Sequence, residues 1–564
     1  MLNELYTVHG ENLTGTPWNC YPRPQMRRAV WQNLNGTWDF AVGKDKPESY
    51  DRTILVPFCP ESMLSGIREH FEEGTPLWYR RHVTLPEEFR GKTVLLHIGS
   101  ADQQAWVYVN GKKIGTHEGG YDSFCFDITS ALKEGENEIL VRCTDDLRNQ
   151  VYPYGKQTLT RGGMWYTPVS GIWKTVWLEG VPKNYIEKLD IKIQGTSVTI
   201  ATVPEMEGTV TVAGLGEYPL EKGKVTIAPE KPHLWSPEDP YLYDFTVEAG
   251  EDRIESYFAL RTLEVKKIGK YPRLCLNGEP YFFHGLLDQG YWPEGLLTPP
   301  APESYVQDIL AMKKLGFNTL RKHIKIEMEE FYYQCDKLGM IVWQDMVNNS
   351  DYNFKRDTAL PTAGIQKLND TNWHKDPASR QMFKRCAKAA VEQLQGHPSV
   401  CYWTIFNEAW GQFDSDNVYE WFKKLDDTRF IDSTSGWFRR KKTDVDSRHV
   451  YFKKIKLTGD GKKPLVLSEF GGKTYKAEGH IFNPDKVYGY GGCETLEQLN
   501  EAVAKLYTDE ILPCIGRGLC AAIYTQVSDV EDEINGLLSY DRKVEKLRPE
   551  VMLPIAERLQ SAVK

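Results

Sequence analysis

The segment HPSVCYWTIFNEAW (397–410) carries the pattern that decides the fold. Its centre, VCYWTIF, is an uncharged and mostly apolar run, and Asn407 and Glu408 follow it directly. A continuous run of this kind is typical of a strand that is covered on both faces, as in a parallel sheet. A carboxylate at the end of such a strand is unfavourable unless it has a partner or a function. We therefore predict a buried parallel strand that ends in a functional carboxylate.

Further runs of the same kind occur after residue 264 and are separated by helical patterns. They are YFFHGLL (281–287), NTLRKH (318–323), MIVWQDM (340–346), RFIDSTSG (429–436), HVYF (449–452), LVLSEFGG (465–472) and LCAAIYTQVSD (519–529). Helices that alternate with short apolar strands indicate βα units, and eight such strands close a (β/α)₈ TIM barrel. We predict this barrel for residues 264–564. Chemistry in such barrels lies at the carboxyl ends of the strands, where Glu408 and Glu469 are found.

The chain before residue 264 has a different pattern, with short alternating strands separated by turn residues. In AWVYVNGKKIG (105–115), the pair Asn110-Gly111 lies between two strand-like runs and predicts a hairpin, because both residues tolerate positive φ. We predict a β-sandwich for residues 1–180. A second set of short strands, of a length that suits an immunoglobulin-like sandwich, fills residues 181–263.

Composition excludes several classes of function. The formal net charge of −9, without a dense Lys/Arg block, argues against nucleic acid and acidic membrane surfaces as partners. No stretch reaches the roughly 18 apolar residues that span a bilayer, and no signal-peptide pattern is present. The eleven cysteines lack zinc-site spacing, so we interpret them as reduced thiols in a cytoplasmic protein. Aromatic residues make up 12%, which fits either packing in β-domains or stacking on sugars.

Glu408 and Glu469 form a pair in equivalent positions. Cleavage of a glycosidic bond needs such a pair, because one carboxylic acid protonates the leaving oxygen while the other carboxylate assists at the anomeric carbon. A separation of about 5 to 5.5 Å makes the second group a nucleophile and retains the configuration, whereas about 6.5 to 9.5 Å gives inversion. The alternative is two surface or salt-bridged glutamates. We predict no cofactor and no metal, because the sequence has no ligand cluster or phosphate-binding loop.

Several motifs resemble glycoside hydrolase family 2 across nearly the whole chain. They are YPRPQMRRAVWQNLNGTWDF (21–40), VNGKKIGTHEGGYDSFCFDIT (109–129), VSGIWKTVWLE (169–179), HPSVCYWTIFNEAW (397–410) and LSEFGG (467–472). The resemblance implies a jelly-roll sugar-binding domain, an immunoglobulin-like domain and a catalytic barrel, in that order. It also implies that Glu408 is the general acid/base and Glu469 the nucleophile. Arg321 resembles the family's strand-two arginine, which would orient the nucleophile.

Supporting roles are expected for other residues near the strand ends. Asn407 is expected to bind the sugar 2-hydroxyl. His449 is a candidate contact for the sugar or the acid pair, or else a barrel histidine satisfied within the core. Asp345 either binds sugar hydroxyls or caps a loop. Trp410 and Trp437 either stack on sugar or pack in the core.

This sequence departs from several motifs of the family, and these departures leave the identity of the sugar open. RKHIKIE (321–327) replaces the strand-two motif of galactosidases and glucuronidases, and FYYQCDKLGMIVWQDM (331–346) resembles the β-mannosidase branch. Gln526 stands where many members have a tryptophan. The family's glucuronidases hold the uronate with an Asn-x-Lys pair late in the chain, and INGLLSYDRK (534–543) has no lysine at that spacing.

Three polar residues offer another route to a carboxylate. Asn353, Lys355 and Arg356 follow strand three and could hold it, unless they are a solvated loop. We predict a retaining exo-β-glycosidase, first a β-hexuronidase for glucuronides or galacturonides, then a β-galactosidase, then a β-mannosidase-like enzyme or β-glucosidase. A carbohydrate-binding lectin on a hydrolase scaffold and a scaffolding protein are the alternatives without catalysis. A small carbohydrate or glycoconjugate is the expected ligand, and homo-oligomer formation stays open.

Overall fold

The computed structural model describes residues 2–365 and 368–564. After a short helix α1 (Val8–Glu11), the first region is a two-sheet sandwich. Its strands are β1 (Trp31–Asn33), β2 (Gly36–Val42), β3 (Arg52–Val56), β4 (Leu77–Thr84), β5 (Thr93–Ile98), β6 (Ala101–Asp102), β7 (Gln104–Val109), β8 (Lys112–Glu118), β9 (Phe124–Asp127), β10 (Glu136–Thr144), β11 (Gly171–Ile172) and β12 (Val176–Val181). One sheet has the order β1-β12-β5-β9 and the other β3-β2-β4-β10-β7-β8, while β6 pairs with β11.

The predicted hairpin is confirmed. β7 and β8 pair antiparallel, and the two residues between them, Asn110 and Gly111, have φ of 49° and 79°. Alternate residues of both sheets point inward and form one apolar core that includes Trp38, Leu96 and Ile139. This alternation is what a sheet with one buried face requires.

A second, smaller sandwich follows. Its strands are β13 (Lys188–Gln194), β14 (Ser197–Val203), β15 (Gly208–Val212), β16 (Gly216–Leu220), β17 (Lys224–Ile227), β18 (Tyr243–Ala249) and β19 (Asp252–Phe258). They form the sheets β13-β14-β17 and β16-β15-β18-β19. Buried Trp235, in the connection before β18, donates its indole N–H to the carbonyl of Asp336 at 2.7 Å, which anchors this sandwich to the barrel.

The barrel begins after an antiparallel sheet of β20 (Leu263–Ile268), β21 (Tyr271–Leu276) and β22 (Glu279–Pro280). Its strands are β23 (Phe283–Asp288), β24 (Thr319–Lys322), β25 (Ile341–Asp345), β26 (Val400–Asn407), β27 (Phe430–Ser435), β28 (Asp446–Val450), β29 (Leu465–Gly471) and β32 (Leu519–Thr525), with the short pair β30 (Thr474–Tyr475) and β31 (Gly492–Cys493) in a connection. The eight parallel strands have the order β27-β26-β25-β24-β23-β32-β29-β28. The Ser435 hydroxyl of β27 lies 2.9 Å from His449 Nε2 of β28, so the two end strands nearly close the barrel.

The predicted TIM barrel is confirmed, with one strand displaced. Strand six occupies residues 446–450 rather than 449–452, so Tyr451 and Phe452 follow it. Its polar residues Asp446 and Arg448 face outward and pair with each other at 2.7 Å, so the strand has little of the apolar pattern expected for it. All eight residues of β26 are buried, as its apolar run predicts.

Helices cover the outside of the barrel. They are α2 (Glu303–Lys314), α3 (Glu329–Leu338), α4 (Leu360–Thr362), α5 (Pro377–Leu394), α6 (Ser415–Leu425), α7 (Leu496–Leu506), α8 (Leu512–Ile515) and α9 (Pro549–Val563). The start of α5 shows why they form there: Asp376 accepts hydrogen bonds from the N–H groups of Ala378 and Ser379, and Pro377 occupies the first turn. Among the helices that the structure describes, none has both the length and the apolar character to cross a bilayer.

The sheets meet at short junctions. β12 ends at Val181 and β20 begins at Leu263, and among the strands of the described residues none is shared between the first sandwich, the second sandwich and the barrel. We keep 1–180, 181–263 and 264–564 as the proposed domains. All eleven cysteines are free thiols.

Candidate active site

Two buried glutamates face each other inside the carboxyl end of the barrel. Glu408 follows β26 directly and Glu469 lies in β29, and their side chains are 8% and 6% exposed. His449 of β28 lies between them, with Nδ1 2.8 Å from Glu408 Oε1 and 3.5 Å from Glu469 Oε2. The closest oxygens of the two carboxylates are within 4.8 Å of each other. The barrel therefore brings the predicted pair together.

The backbone around Glu408 is strained. Glu408 and Ala409 both have positive φ, at 47° and 68°, a conformation that residues other than glycine rarely adopt. The turn is held by hydrogen bonds from Glu408 N–H to Ser435 O at 3.1 Å and from Trp410 N–H to Asn407 O at 2.8 Å. Strain of this kind persists where the surroundings fix the chain and is concentrated at functional sites.

Arg321, at the carboxyl end of β24, connects the acidic residues of the site. It donates to Glu469 Oε1 at 3.0 Å, to both oxygens of Asp345 at 3.0 Å, and to Asn407 Oδ1 at 2.8 Å. The guanidinium is fully buried; burial opposes its charge, but the negative charges of Asp345 and Glu469 raise its pKa. Burial raises the pKa of Asp345, and the Arg321 charge opposes this rise. Arg321 thus fixes the position of Glu469 through its Oε1 atom.

Tyr451, which the sequence analysis did not select, is the second donor to Glu469. Its hydroxyl donates to Glu469 Oε2 at 2.8 Å and lies 2.7 Å from Thr525 Oγ1. Burial raises the pKa of Tyr451 well above 10, so the phenol keeps its proton at neutral pH. Side chains two residues apart on an extended chain point to the same face, so the position of His449 could have indicated Tyr451.

The orientation of His449 is fixed from both sides. Its Nε2 lies 2.9 Å from the Ser435 hydroxyl, and its Nδ1 faces Glu408. Gly436 makes this packing possible, because a Cβ at that position would lie 2.5 Å from the imidazole. His449 is thus a hydrogen-bond partner of the acid pair.

Polar groups without a protein partner lie around the two glutamates. Among the described residues these buried groups include Asn407 Nδ2, His323 Nε2, Trp410 Nε1 and Gln526 Nε2. His323 Nε2 is 3.8 Å from Glu469 Oε1, and its Nδ1 donates to Gln289 Oε1 at 2.9 Å. Burial, with the positive charges of Lys156 and Arg321, lowers the pKa of His323 well below 6.5, so Nε2 is free to accept a hydrogen bond. Buried polar groups normally have partners, so these four atoms are available to a polar ligand.

The first sandwich contributes a wall to the site. The Trp165 ring lies 5.1 Å from that of Trp410, and the Tyr166 hydroxyl donates to Glu533 Oε2 at 2.5 Å. Trp410 is 1% exposed and packs between Trp165 and His323. The Trp165–Trp410 and Tyr166–Glu533 contacts join loops that are about 250 and 367 residues apart in the chain, which explains why sequence patterns did not reveal them.

The other predicted residues lie differently. Arg356 is not a free cation: its guanidinium binds both oxygens of Asp357, at 2.5 and 2.8 Å, and packs against Trp373. Asn353 caps the same turn by accepting from Arg356 N–H at 3.1 Å, and Lys355 is exposed. The predicted cationic pocket is therefore a self-contained turn. Trp437 is half-buried beyond β27.

Within the described residues, a metal ion would find ligands only at the two glutamates and His449. In the part of the chain that the structure describes, the trio Glu408, His449 and Glu469 is the group whose ligand atoms come close enough, within 4.8 Å. A cation there would occupy the same oxygens that sugar chemistry needs.

Comparison with known proteins gives the family. Residues 274–493 match the family model "Glycosyl hydrolases family 2, TIM barrel domain", residues 67–158 match "Glycosyl hydrolase 2 galactose-binding domain-like", and residues 181–261 match "Glycosyl hydrolases family 2". A β-galactosidase of Thermoanaerobacter pseudethanolicus is 27% identical over 71% of this chain and 53% of its own length. A β-glucuronidase of Bacteroides fragilis is 24% identical over 70% of this chain and 58% of its own length, so the chain spans about half the length of these relatives.

A solved structure has the same fold. The β-glucuronidase of Bifidobacterium dentium, complexed with coumarin-3-O-glucuronide, matches with a TM-score of 0.72 and 18% identity. The match covers 95% of this chain and 98% of that one. Together with the three family models, which follow one another along the chain in the order of its three regions, these findings show that the chain belongs to glycoside hydrolase family 2.

Proposed function

We propose that this chain is a retaining β-glycosidase that removes a terminal β-linked sugar, with Glu408 as general acid/base and Glu469 as nucleophile. The observation that carries the proposal is the spacing of the two carboxylates, whose closest oxygens lie within 4.8 Å. Retaining enzymes hold their carboxyl groups about 5 to 5.5 Å apart, whereas inverting enzymes need about 6.5 to 9.5 Å to admit a water.

The different surroundings of the two carboxylates support the different roles. Glu469 accepts hydrogen bonds from the Arg321 cation and from Tyr451, and both contacts hold the nucleophile in a fixed position. Glu469 would attack the anomeric carbon while Glu408 protonates the leaving oxygen. Water, deprotonated by Glu408, would then release the sugar from Glu469.

His449 suits both states of Glu408. A neutral imidazole that donates from Nε2 to the Ser435 hydroxyl can accept at Nδ1 a hydrogen bond from the O–H of a protonated Glu408. The other tautomer donates from Nδ1 to an ionised Glu408, and its Nε2 then accepts a hydrogen bond from the Ser435 hydroxyl. The same residue thus supports the acid step and the base step, while Asn407 and His323 offer free polar atoms to sugar hydroxyls.

We propose a β-hexuronide, a glucuronide or galacturonide, as the first substrate class and a β-galactoside as the second. The relatives include proteins named β-glucuronidase and β-galactosidase, which supports these two substrate classes but does not rank them. β-Mannosides and β-glucosides follow. The cytoplasmic location and a homo-oligomer interface on the sandwich regions stay predictions.

The test is turnover of nitrophenyl β-glycosides (galactoside, glucoside, mannoside, glucuronide and galacturonide) by wild type and Glu469→Gln. We expect one class to be hydrolysed and the variant to lose about 10⁴-fold or more in kcat, the scale seen when a nucleophile is removed. Undiminished turnover by Glu469→Gln would contradict the assignment. Sugar binding without any turnover by the folded wild type would favour the lectin.

A further inference from the structure

Lys156 belongs to the first sandwich but lies in the mouth of the barrel. It follows β10 in the long connection to β11 and is 5% exposed. Its ammonium nitrogen lies 4.7 Å from the ring centroid of Trp410, 5.6 Å from that of Trp165 and 5.9 Å from that of Tyr166. Trp410 follows Glu408 by two residues, so three aromatic rings hold this cation beside the catalytic pair.

Lys156 differs from nearby cations in how its charge is paired. Of the carboxylates in the described residues, none pairs with it within 4 Å, whereas Arg161 of the same connection binds Asp532 at 2.8 Å and Lys322 binds Asp288 at 2.7 Å. Burial lowers the pKa of Lys156, and the negative charges of Glu533, Glu469 and Glu408 oppose this effect. These three acids are therefore near enough to act on the ammonium through space.

Aromatic faces alone compensate a buried ammonium only in part. The attraction between a cation and a ring face is weaker than the stabilisation that a buried charge requires in full. Protein interiors keep such a charge where it is paired or where a ligand pairs with it. An anionic group on the bound sugar would supply the missing partner.

The carboxylates of Glu408 and Glu469 make a nearby cation necessary for an anionic sugar. A uronate carboxylate would be repelled by an ionised Glu469, and the nearby ammonium of Lys156 offsets that repulsion. The predicted alternative, Arg356, is already bound to Asp357.

We propose that Lys156 binds the carboxylate of a terminal β-hexuronide and thereby selects uronides over neutral hexosides. This inference rests on the proposed glycosidase function and deepens it. A neutral hexoside carries a hydroxymethyl group where the uronide has its carboxylate, so it leaves the buried ammonium unpaired. Sites that lose such a pairing discriminate strongly against the analogue.

The first experiment compares Lys156→Gln with wild type on nitrophenyl β-glucuronide, β-galacturonide and β-galactoside. Loss of one partner of a buried charge pair predicts a fall in uronide kcat/KM of about 100-fold or more. Galactoside kcat/KM should fall by much less, because a neutral sugar gains little from the charge, so the ratio of uronide to galactoside kcat/KM should drop. Equal changes for all three substrates, or no change for the uronides, would overturn the assignment.

Lys174→Gln is the matched control. Lys174 is also a buried lysine of the first sandwich over an aromatic ring, 4.5 Å from the Trp173 centroid, but its ammonium donates to Tyr121 O at 2.9 Å. Loss of this lysine should affect stability and leave the ratio of uronide to galactoside turnover unchanged. A shift of that ratio as large as in Lys156→Gln would mean that Lys156 acts only through the fold.

A binding measurement keeps this inference separate from catalysis. Calorimetric titration of wild type with D-glucuronate, D-galacturonate and D-galactose needs neither turnover nor a variant. We expect at least one uronate to bind about 10-fold or more tightly than galactose, as for a charge-assisted contact. Uronates bound no more tightly than galactose would overturn the role of Lys156 even if glycosides are hydrolysed. Preferential uronate binding without any turnover would instead contradict only the proposed glycosidase.

Discussion

The two walls of the barrel mouth each contain a buried cation, and the two cations have different partners. On the wall that carries Glu469, Arg321 is fully buried and its charge is satisfied by Glu469, Asp345 and Asn407. On the wall that comes from the first sandwich, Lys156 is nearly as buried but is surrounded by rings. The difference teaches that the proposed catalytic residue Glu469 is positioned by contacts within the protein. The charge of Lys156, the proposed recognition residue, is instead paired only when a ligand binds.

The largest effect should come from replacing Arg321, the cation that is paired with Glu469 and Asp345. Arg321→Met leaves Asp345 and Glu469 buried without their cation, so we expect the free energy of unfolding to fall by about 3–5 kcal/mol. A displaced nucleophile should lower kcat by about 10²-fold or more. Urea unfolding and steady-state kinetics would measure the two effects.

Arg261→Met is the control for this variant. Arg261 is equally buried but lies at the start of β26, where it donates to the carbonyls of Pro398 and Val400 at 2.6 and 2.8 Å. It should lower stability and leave kcat of the folded protein unchanged. If both variants lowered kcat alike, Arg321 would act only through stability.

A second group of buried ion pairs, around Glu327, should make the free energy of unfolding sensitive to acid. Burial would raise the pKa of Glu327, but the charges of Lys322 and Lys325, at 2.9 and 2.7 Å, lower it from 4.5 to about 2. Because the folded-state pKa lies below the unfolded value, this stabilisation is present above about pH 4.5 and is lost as the pH falls towards 2. Its size corresponds to about 3 kcal/mol.

Urea unfolding of wild type and Glu327→Gln between pH 5 and pH 3 tests this contribution. The variant should be less stable at pH 5, because two lysines lose their partner, and its stability should fall less steeply with acid. Parallel stability curves for the two proteins would mean that Glu327 is not a source of the acid sensitivity.

A smaller effect is expected at Tyr451. Tyr451→Phe removes the hydrogen bond to Glu469 Oε2 and keeps the ring that stacks on Tyr490, at 4.1 Å between centroids. Loss of a hydrogen bond to a charged group predicts a decrease in kcat/KM of about 10- to 100-fold. Tyr490→Phe is the matched control and should change kcat/KM by less than about 3-fold, because its hydroxyl contacts Tyr488 at 3.5 Å and not the nucleophile. Equal kinetics for Tyr451→Phe and wild type would remove Tyr451 from the site.

The sequence predicted the barrel well because its strands are buried on both faces and therefore read as apolar runs. Glu408 and Glu469 were recognisable for the same reason, as carboxylates that follow such runs. Strand six was predicted three residues too late because its first half, with Asp446 and Arg448 paired on the outside, lacks the apolar pattern of the other strands.

Contacts between distant segments were beyond the reach of local patterns. Lys156 lies about 250 residues before Glu408, and only the assembly of the first sandwich on the barrel brings its ammonium over Trp410. Conversely, Asn353 and Arg356 have the composition of an anion site but satisfy each other and Asp357 in one turn. Composition alone does not distinguish a free charge from a paired one.

The most direct test of the central claim is the stereochemistry of hydrolysis, followed by proton NMR on whichever nitrophenyl β-glycoside the enzyme cleaves fastest. With Glu408 and Glu469 oxygens within 4.8 Å, we predict that the β-anomer of the free sugar appears first and the α-anomer only later by mutarotation. First appearance of the α-anomer would mean inversion and would contradict Glu469 as nucleophile.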